Sequence, residues 1–199
     1  MTGDEAATDG RHQRRARNRE SVVEAILGLL DEGVAQPTAQ DVAIRSGVSM
    51  RSIFRLFDDM GALHRSAIER QTQRLAPLLV ELPTDGPLAD RVAAVVANRA
   101  EVFESVSPVR RLANRLAPSS PPISGELARL GRHLRSQLIA TFAPELRRGA
   151  DVLLLDALDA ATSWDTWERL RVDQQLSPVE ARRTVTLTVT ALLREEPVT

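Results

Sequence analysis

The sequence predicts an all-α protein of about nine helices, with a three-helix domain at the N-terminus and a larger helical domain behind it. Three observations carry this. Apolar residues recur every three or four positions, one helical face at a time. Glycine and proline are concentrated at Gly33, Gly47, LPTDGP (82–87) and APSSPP (117–122), which punctuate the chain. No pair of alternating segments offers two strands to join.

The elements follow in order. Residues 1–10, MTGDEAATDG, read as a polar disordered tail. Val23, Ile26, Leu27 and Leu30 form the inner stripe of the first helix, which Glu32-Gly33 closes. Thr38-Ala-Gln-Asp41 is a capping-box-like start for the second helix, with Asp41 where Glu or Gln is usual. Ala39, Val42 and Ala43 make its inner face, and Gly47 ends it. Ser49 caps a short third helix, about Met50–Leu56, with Val48 and Ile53 at the spacing of a hydrophobic staple. Asp58 or Asp59 caps a fourth, lined by Leu63, Ala67, Leu75 and Leu78, which Pro77 bends or ends. A fifth spans Leu88–Val106. Pro108 opens a sixth, to about Leu116; Glu126–Phe142, Ala150–Arg171 and Pro178–Arg194 complete the set. Within the last, Thr184, Thr186, Thr188 and Thr190 alternate with apolar residues, a strand signature. Val185, Val189 and Leu192 also share one helical face, and a lone strand has no partner, so helix is expected.

Composition excludes several classes of chemistry. The chain of 199 residues has no cysteine, hence no disulfide, thiol nucleophile or cysteine-ligated zinc. No apolar run approaches the length of a membrane span, and the N-terminus lacks the apolar core of a signal peptide, so a cytoplasmic protein is expected. His12, His64 and His133 lie far apart, without metal-ligand spacing, and no nucleophile elbow or phosphate loop occurs. Neither an enzyme nor a cofactor is expected. Net charge is −1, but residues 11–74 carry eleven arginines against eight acids. A basic front and an acidic remainder suit one nucleic-acid face. Every basic residue is arginine, as a GC-rich genome alone would produce.

The informative segment is TAQDVAIRSGVSMRSIFRLF, residues 38–57. Ala43, Gly47 and Ile53 stand at offsets of four and six, the pattern of a helix-turn-helix. Such a unit presents its second helix to a major groove. Residues 17–68 resemble the DNA-binding region of the tetracycline-repressor (TetR) family. The match runs from the Val23–Leu30 stripe through Thr38, Val42-Ala43 and Gly47-Val48-Ser49 to Ile53-Phe54, Phe57 and Leu63. Arg51-Ser52 replaces the family's small pair, Phe54 its frequent tyrosine, Leu56 its frequent histidine and Met60 its frequent lysine.

The resemblance implies a DNA-binding domain over 11–60 and a regulatory, ligand-binding and dimerisation domain over 61–199. It implies a homodimer on double-stranded, palindromic operator DNA, a repressor released by a small-molecule effector, here expected to be apolar. Thr38, Ser49, Met50, Arg51, Ser52, Phe54 and Arg55 are the expected DNA contacts. Arg11, Arg14, Arg15, Arg17 and Arg19 form a basic stretch that either reaches phosphates or is merely solvated. The expected pocket uses Val96, Arg99, Phe103, Leu112, Leu116, His133, Leu134, Gln137 and Trp167, with Asn98 as a further polar anchor; the same leucines also suit a filled core. The expected dimer interface uses Leu154, Ala157, Leu158, Ala161 and Trp164 with Val185 and Val189. The competing readings are a helical enzyme or lipid carrier with an incidental helix pair, and a helix-turn-helix used for protein contact.

Overall fold

The computed structural model describes residues 3–146 and 152–194, and among these the regular elements are all helical. In chain order they are α1 (Gly3–Asp31), α2 (Ala39–Ser46), α3 (Met50–Leu56), α4 (Met60–Leu75), α5 (Leu88–Leu116), α6 (Pro121–Thr141), the single turn α7 (Ala143–Leu146), α8 (Val152–Ala161), α9 (Trp164–Glu168) and α10 (Pro178–Arg194). No helix among the described residues is long and apolar enough to cross a membrane.

The chain forms two compact units, and they do not divide at residue 60. One comprises residues through Arg74 together with Pro108–Ser124; the other comprises Leu75–Ser107 and everything from Gly125 onward. The chain therefore passes between units three times. In the first unit, Val22, Ile26 and Leu27 of α1, Val42 of α2, Ile53 of α3 and Leu63 of α4 are almost wholly buried. In the second, Val95, Phe103, Leu138, Phe142, Leu158, Trp167 and Val189 belong to one core.

Local chemistry explains most boundaries. Thr38 accepts the Asp41 N–H (3.2 Å) while the Asp41 carboxylate accepts the Thr38 N–H (2.8 Å), so Asp41 completes the capping box despite its short side chain. Asp59 rather than Asp58 starts α4, accepting the Ala62 N–H at 2.6 Å. Ser177 and Glu180 form the same reciprocal cap at α10. The threonines of α10 do not make a strand: Thr184 and Thr188 each donate to the carbonyl four residues back, at 3.0 Å, which satisfies their hydroxyls within the helix.

Five expectations are corrected. Helix α1 begins at Gly3, where a disordered tail over 1–10 is expected. Pro108 does not start a helix but lies inside α5. The ladder loses one N–H there, and the adjacent Ser107 hydroxyl donates to the Phe103 carbonyl at 2.7 Å. APSSPP is not all loop: α6 begins at Pro121, because proline needs no N–H donor in a first turn. The expected helix over 150–171 is broken in two, since Ser163 adopts extended backbone (ψ 160°) and caps α9 by accepting the Thr166 N–H. Its expected start at Ala150 and Asp151 lies outside the described residues. Helix α9 then runs into a π-helical turn, Arg169–Asp173, instead of ending at Arg171.

Candidate functional site

Helices α2 and α3 are joined by a turn that only certain residues allow. Gly47 has φ +68°, in the left-handed region, and its N–H closes α2 on the Ala43 carbonyl at 3.1 Å. Ser49 then caps α3 by accepting the Ser52 N–H at 3.3 Å. Val48 and Ile53 are both buried beside this turn, as a staple at this spacing requires.

This register divides α3 into two faces. Ile53 and Leu56 point inward. Met50, Arg51, Phe54 and Arg55 are exposed, at positions i, i+1, i+4 and i+5 of one outward face. Phe54 is 48% exposed, a large apolar ring with no in-chain reason to face water. Among the described residues, neither Arg51 nor Arg55 is engaged in an ion pair. Ser49 and Ser52 are hydrogen-bonded to each other (3.1 Å) as part of the cap, and Ser52 is half-buried. The Thr38 hydroxyl, though exposed, donates to Asp41 at 2.7 Å. Three of the seven expected contact residues thus already hold the helix starts in place.

Arg19 has a role that its place in a basic run conceals. It donates to the Leu56 carbonyl at the end of α3 (2.8 Å) and to Ser66 Oγ of α4 (3.0 Å), and lies 4.3 Å over the Phe57 ring. A cation at a helix C-terminus satisfies a free carbonyl and complements the helix dipole. Arg19 therefore ties α1, α3 and α4 together. Arg14, Arg15 and Arg17 are exposed along α1, on a helix instead of a loose arm.

Gly28 permits a second tie. A Cβ there would lie 2.8 Å from a guanidinium nitrogen of Arg45, which crosses α1 to pair with Glu32 at 2.5 Å. Arg70 reaches both Glu20 and Glu24 (3.2 Å each), and Arg74 pairs with Glu24. Arg70 and Arg74 join α4 to α1.

His64, on α4, has its Nε2 buried without a hydrogen-bond partner. Burial pushes its pKa down, the Arg115 cation pushes it further, and Asp59 opposes them.

The expected pocket is rearranged. Val96, Phe103, Leu134 and Trp167 are buried in the core of the second unit, while Leu112 and Leu116 belong to the first. Trp167 donates to Glu104 at 2.8 Å, and Phe103 packs beside its ring. Val96, Phe103, Leu134 and Trp167 all belong to one hydrophobic core cluster. The second unit instead holds a half-open cleft of about 440 Å³ between residues 79–84 and α6. Of the predicted set it contains His133 and Gln137. Behind Gln137 lies Arg99, 1% exposed. Its guanidinium donates to Gln137 Oε1 (2.7 Å), the Leu134 carbonyl (2.8 Å) and Asn98 Oδ1 (3.1 Å). The two amides reach on to the Leu78 and Val80 carbonyls. Burial pushes the Arg99 pKa down to about 10, partly offset by Asp159. Asp159 is itself bonded to Arg135 at 3.0 Å.

The expected interface residues mostly pack within the chain. Leu158, Trp164, Val185 and Val189 are buried, and Trp164 donates to Ser107 at 3.0 Å. Leu154, Ala157 and Ala161 are half-buried. The apolar groups facing outward are Val152 and Leu153 of α8 and Val179 and Leu187 of α10; Leu153 is 78% exposed. Leu153 and Leu187 were legible as apolar, but only packing shows which way they face.

Neither a protein-family model nor a curated protein matches the chain.

Proposed function

We propose that the protein is a sequence-specific DNA-binding transcription regulator that inserts α3 into the major groove. The observation that supports this is the outward face of α3, which presents Met50, Arg51, Phe54 and Arg55 on a helix anchored at both ends. Arg51, near the N-terminus of α3, suits the bidentate contact to guanine O6 and N7, worth about 1–3 kcal/mol of base discrimination. Arg55 and the exposed arginines of α1 suit phosphates, which give affinity without sequence. Phe54 replaces a hydroxyl contact with apolar packing against the groove wall or a thymine methyl.

The regulator acts as a homodimer, its outward apolar groups on α8 and α10 meeting those of a second copy. A two-fold dimer places its two α3 helices about 34–36 Å apart, one turn of DNA. It represses, and a small molecule bound in the second unit shifts the operator-binding equilibrium by favouring one state. The chain works inside the cytoplasm, where its operator is.

Fluorescence anisotropy with duplexes from the DNA upstream of its own gene tests this reading. Saturable binding is expected, weakening steeply with salt. Arg51→Ala should lose most affinity at one base position of each half-site. An equal loss on every operator variant assigns Arg51 to phosphate, and no preference for any duplex over random DNA removes the proposal.

A further inference from the structure

The strongest unexplained feature of the second unit is the buried Arg99, which, unlike the buried Arg91 with its Glu145 partner, has no carboxylate bonded to it among the described residues. Among the described residues, every acceptor of the Arg99 guanidinium is neutral: two side-chain amides and one carbonyl. Its Nε–H has no partner among the described residues. Neutral acceptors compensate a buried charge less fully than a direct counter-ion does. The Asp159 carboxylate is occupied with Arg135.

Gln137 separates this charge from the cleft. Its side chain lines the cleft and its Oε1 is the shortest acceptor of Arg99. Rotation of one side chain thus exchanges a neutral acceptor for whatever occupies the cleft. His133 and Thr141 also line it, and each holds a buried polar atom, Nε2 and Oγ1, without a partner among the described residues. The rest of the lining includes Leu79, Leu82 and Ala140, which suits a hydrocarbon chain. Glu81 also belongs to the lining, but its side chain is exposed, so water screens its repulsion.

We propose that this cleft binds a small monocarboxylate, whose head displaces the Gln137 side chain and pairs with Arg99 while its short apolar tail lies against Leu79, Leu82 and Ala140. One guanidinium calls for one negative charge. The cleft volume of about 440 Å³ suits a metabolite-sized acid. The Arg99 network spans both sides of the cleft, since Asn98 and Gln137 hold the Leu78 and Val80 carbonyls. Binding therefore releases the Gln137 hold on residue 80.

This names the effector class of the regulator proposed above and to that extent rests on it. Its test needs no DNA, so the two ideas fail separately. The full-length chain is titrated with hexanoate, hexanamide and hexylamine, read by thermal shift and by the Nε–Hε resonances of its arginines. Hexanoate is expected to raise the melting temperature saturably and to shift one protected arginine signal. Hexanamide and hexylamine, of equal length, are expected to do neither. Arg99→Met should abolish the response. If that variant does not fold, Gln137→Ala retains the cation, removes the competing acceptor and should tighten hexanoate binding several-fold. Equal responses to acid and amide, a hexanoate response that survives Arg99→Met, or no response in the parent protein to hexanoate or butyrate would overturn the proposal.

Discussion

His64 contributes to the response of the fold to acid. Its imidazole is held below its ordinary pKa of 6.5, first by burial and then by the Arg115 cation. The unfolded chain therefore binds a proton near pH 6.5 that the folded chain still refuses. Stability attributable to His64 is full above that pH and declines as pH falls toward the folded value. Denaturant midpoints at pH 7.5 and 5.5 check this: His64→Gln should narrow the difference between them, and an unchanged difference would remove His64 from the acid response. Such behaviour was not legible in the sequence, where His64 is one of three scattered histidines. The same holds for Arg19 and Arg99. Composition registers both as charges, but the structure uses the first as a tie and the second as a buried cation. Residue type alone does not distinguish them from the solvated Arg14 and Arg15.

At the scale of elements, the α2–α3 turn is the most legible part of the chain, because its causes are local. Thr38, Gly47 and Ser49 act on neighbours within four residues, so their spacing reveals their partners. Gly47 makes the sharpest prediction. Beyond its immediate neighbours in the chain, nothing lies within 4 Å of a Cβ placed there, so substitution meets strain from φ and no clash with other parts of the fold. Gly47→Ala should cost about 1 kcal/mol in a denaturant titration, and Gly47→Asn less, because asparagine tolerates left-handed backbone. Equal costs would point to packing instead. Where causes are not local, the reading slips. Pro108 looks like a helix start, yet a core on both sides of it, with Phe103, Val106, Val109 and Leu112 all buried, keeps α5 continuous. Ser163 looks like an interior residue of a long apolar helix, yet its hydroxyl begins a new one. The signal that was available is Ser163 three residues before Thr166, a weak cap overridden by the apolar pattern around it.

For the whole molecule, the all-helical class was legible from periodicity, whereas the roles of its apolar residues were not. A leucine in a pocket, a filled core or a subunit interface has the same chemistry, and only its surroundings differ. Val185 and Val189, expected between subunits, fill the core, and Leu187 between them faces out. The proposed dimer therefore depends on the exposed Leu153 and Leu187 more than on the buried Val185 and Val189. Light scattering at micromolar concentration should give twice the chain mass. Leu153→Asp combined with Leu187→Asp should give a folded monomer with weakened operator binding, since a single half-site loses its partner. A monomeric parent protein, or a double variant that remains dimeric, would place any assembly elsewhere.

The seven residues of α3 are too few to stand as a helix by themselves in water. Ser49 holds one end and Arg19 the other, from a helix distant in sequence. Fraying at one end should therefore be rare, and the helix should open only when its unit opens. In hydrogen–deuterium exchange, the Ile53 and Phe57 amides, bonded to the Ser49 and Ile53 carbonyls at 2.9 Å, should exchange as slowly as those of Val22–Leu30 in α1. Arg19→Met should uncouple them, so that the α3 amides exchange quickly while α1 stays protected. With that outcome the clock of α3 is set by α1, and a residue outside the helix-turn-helix decides how long that helix keeps its shape.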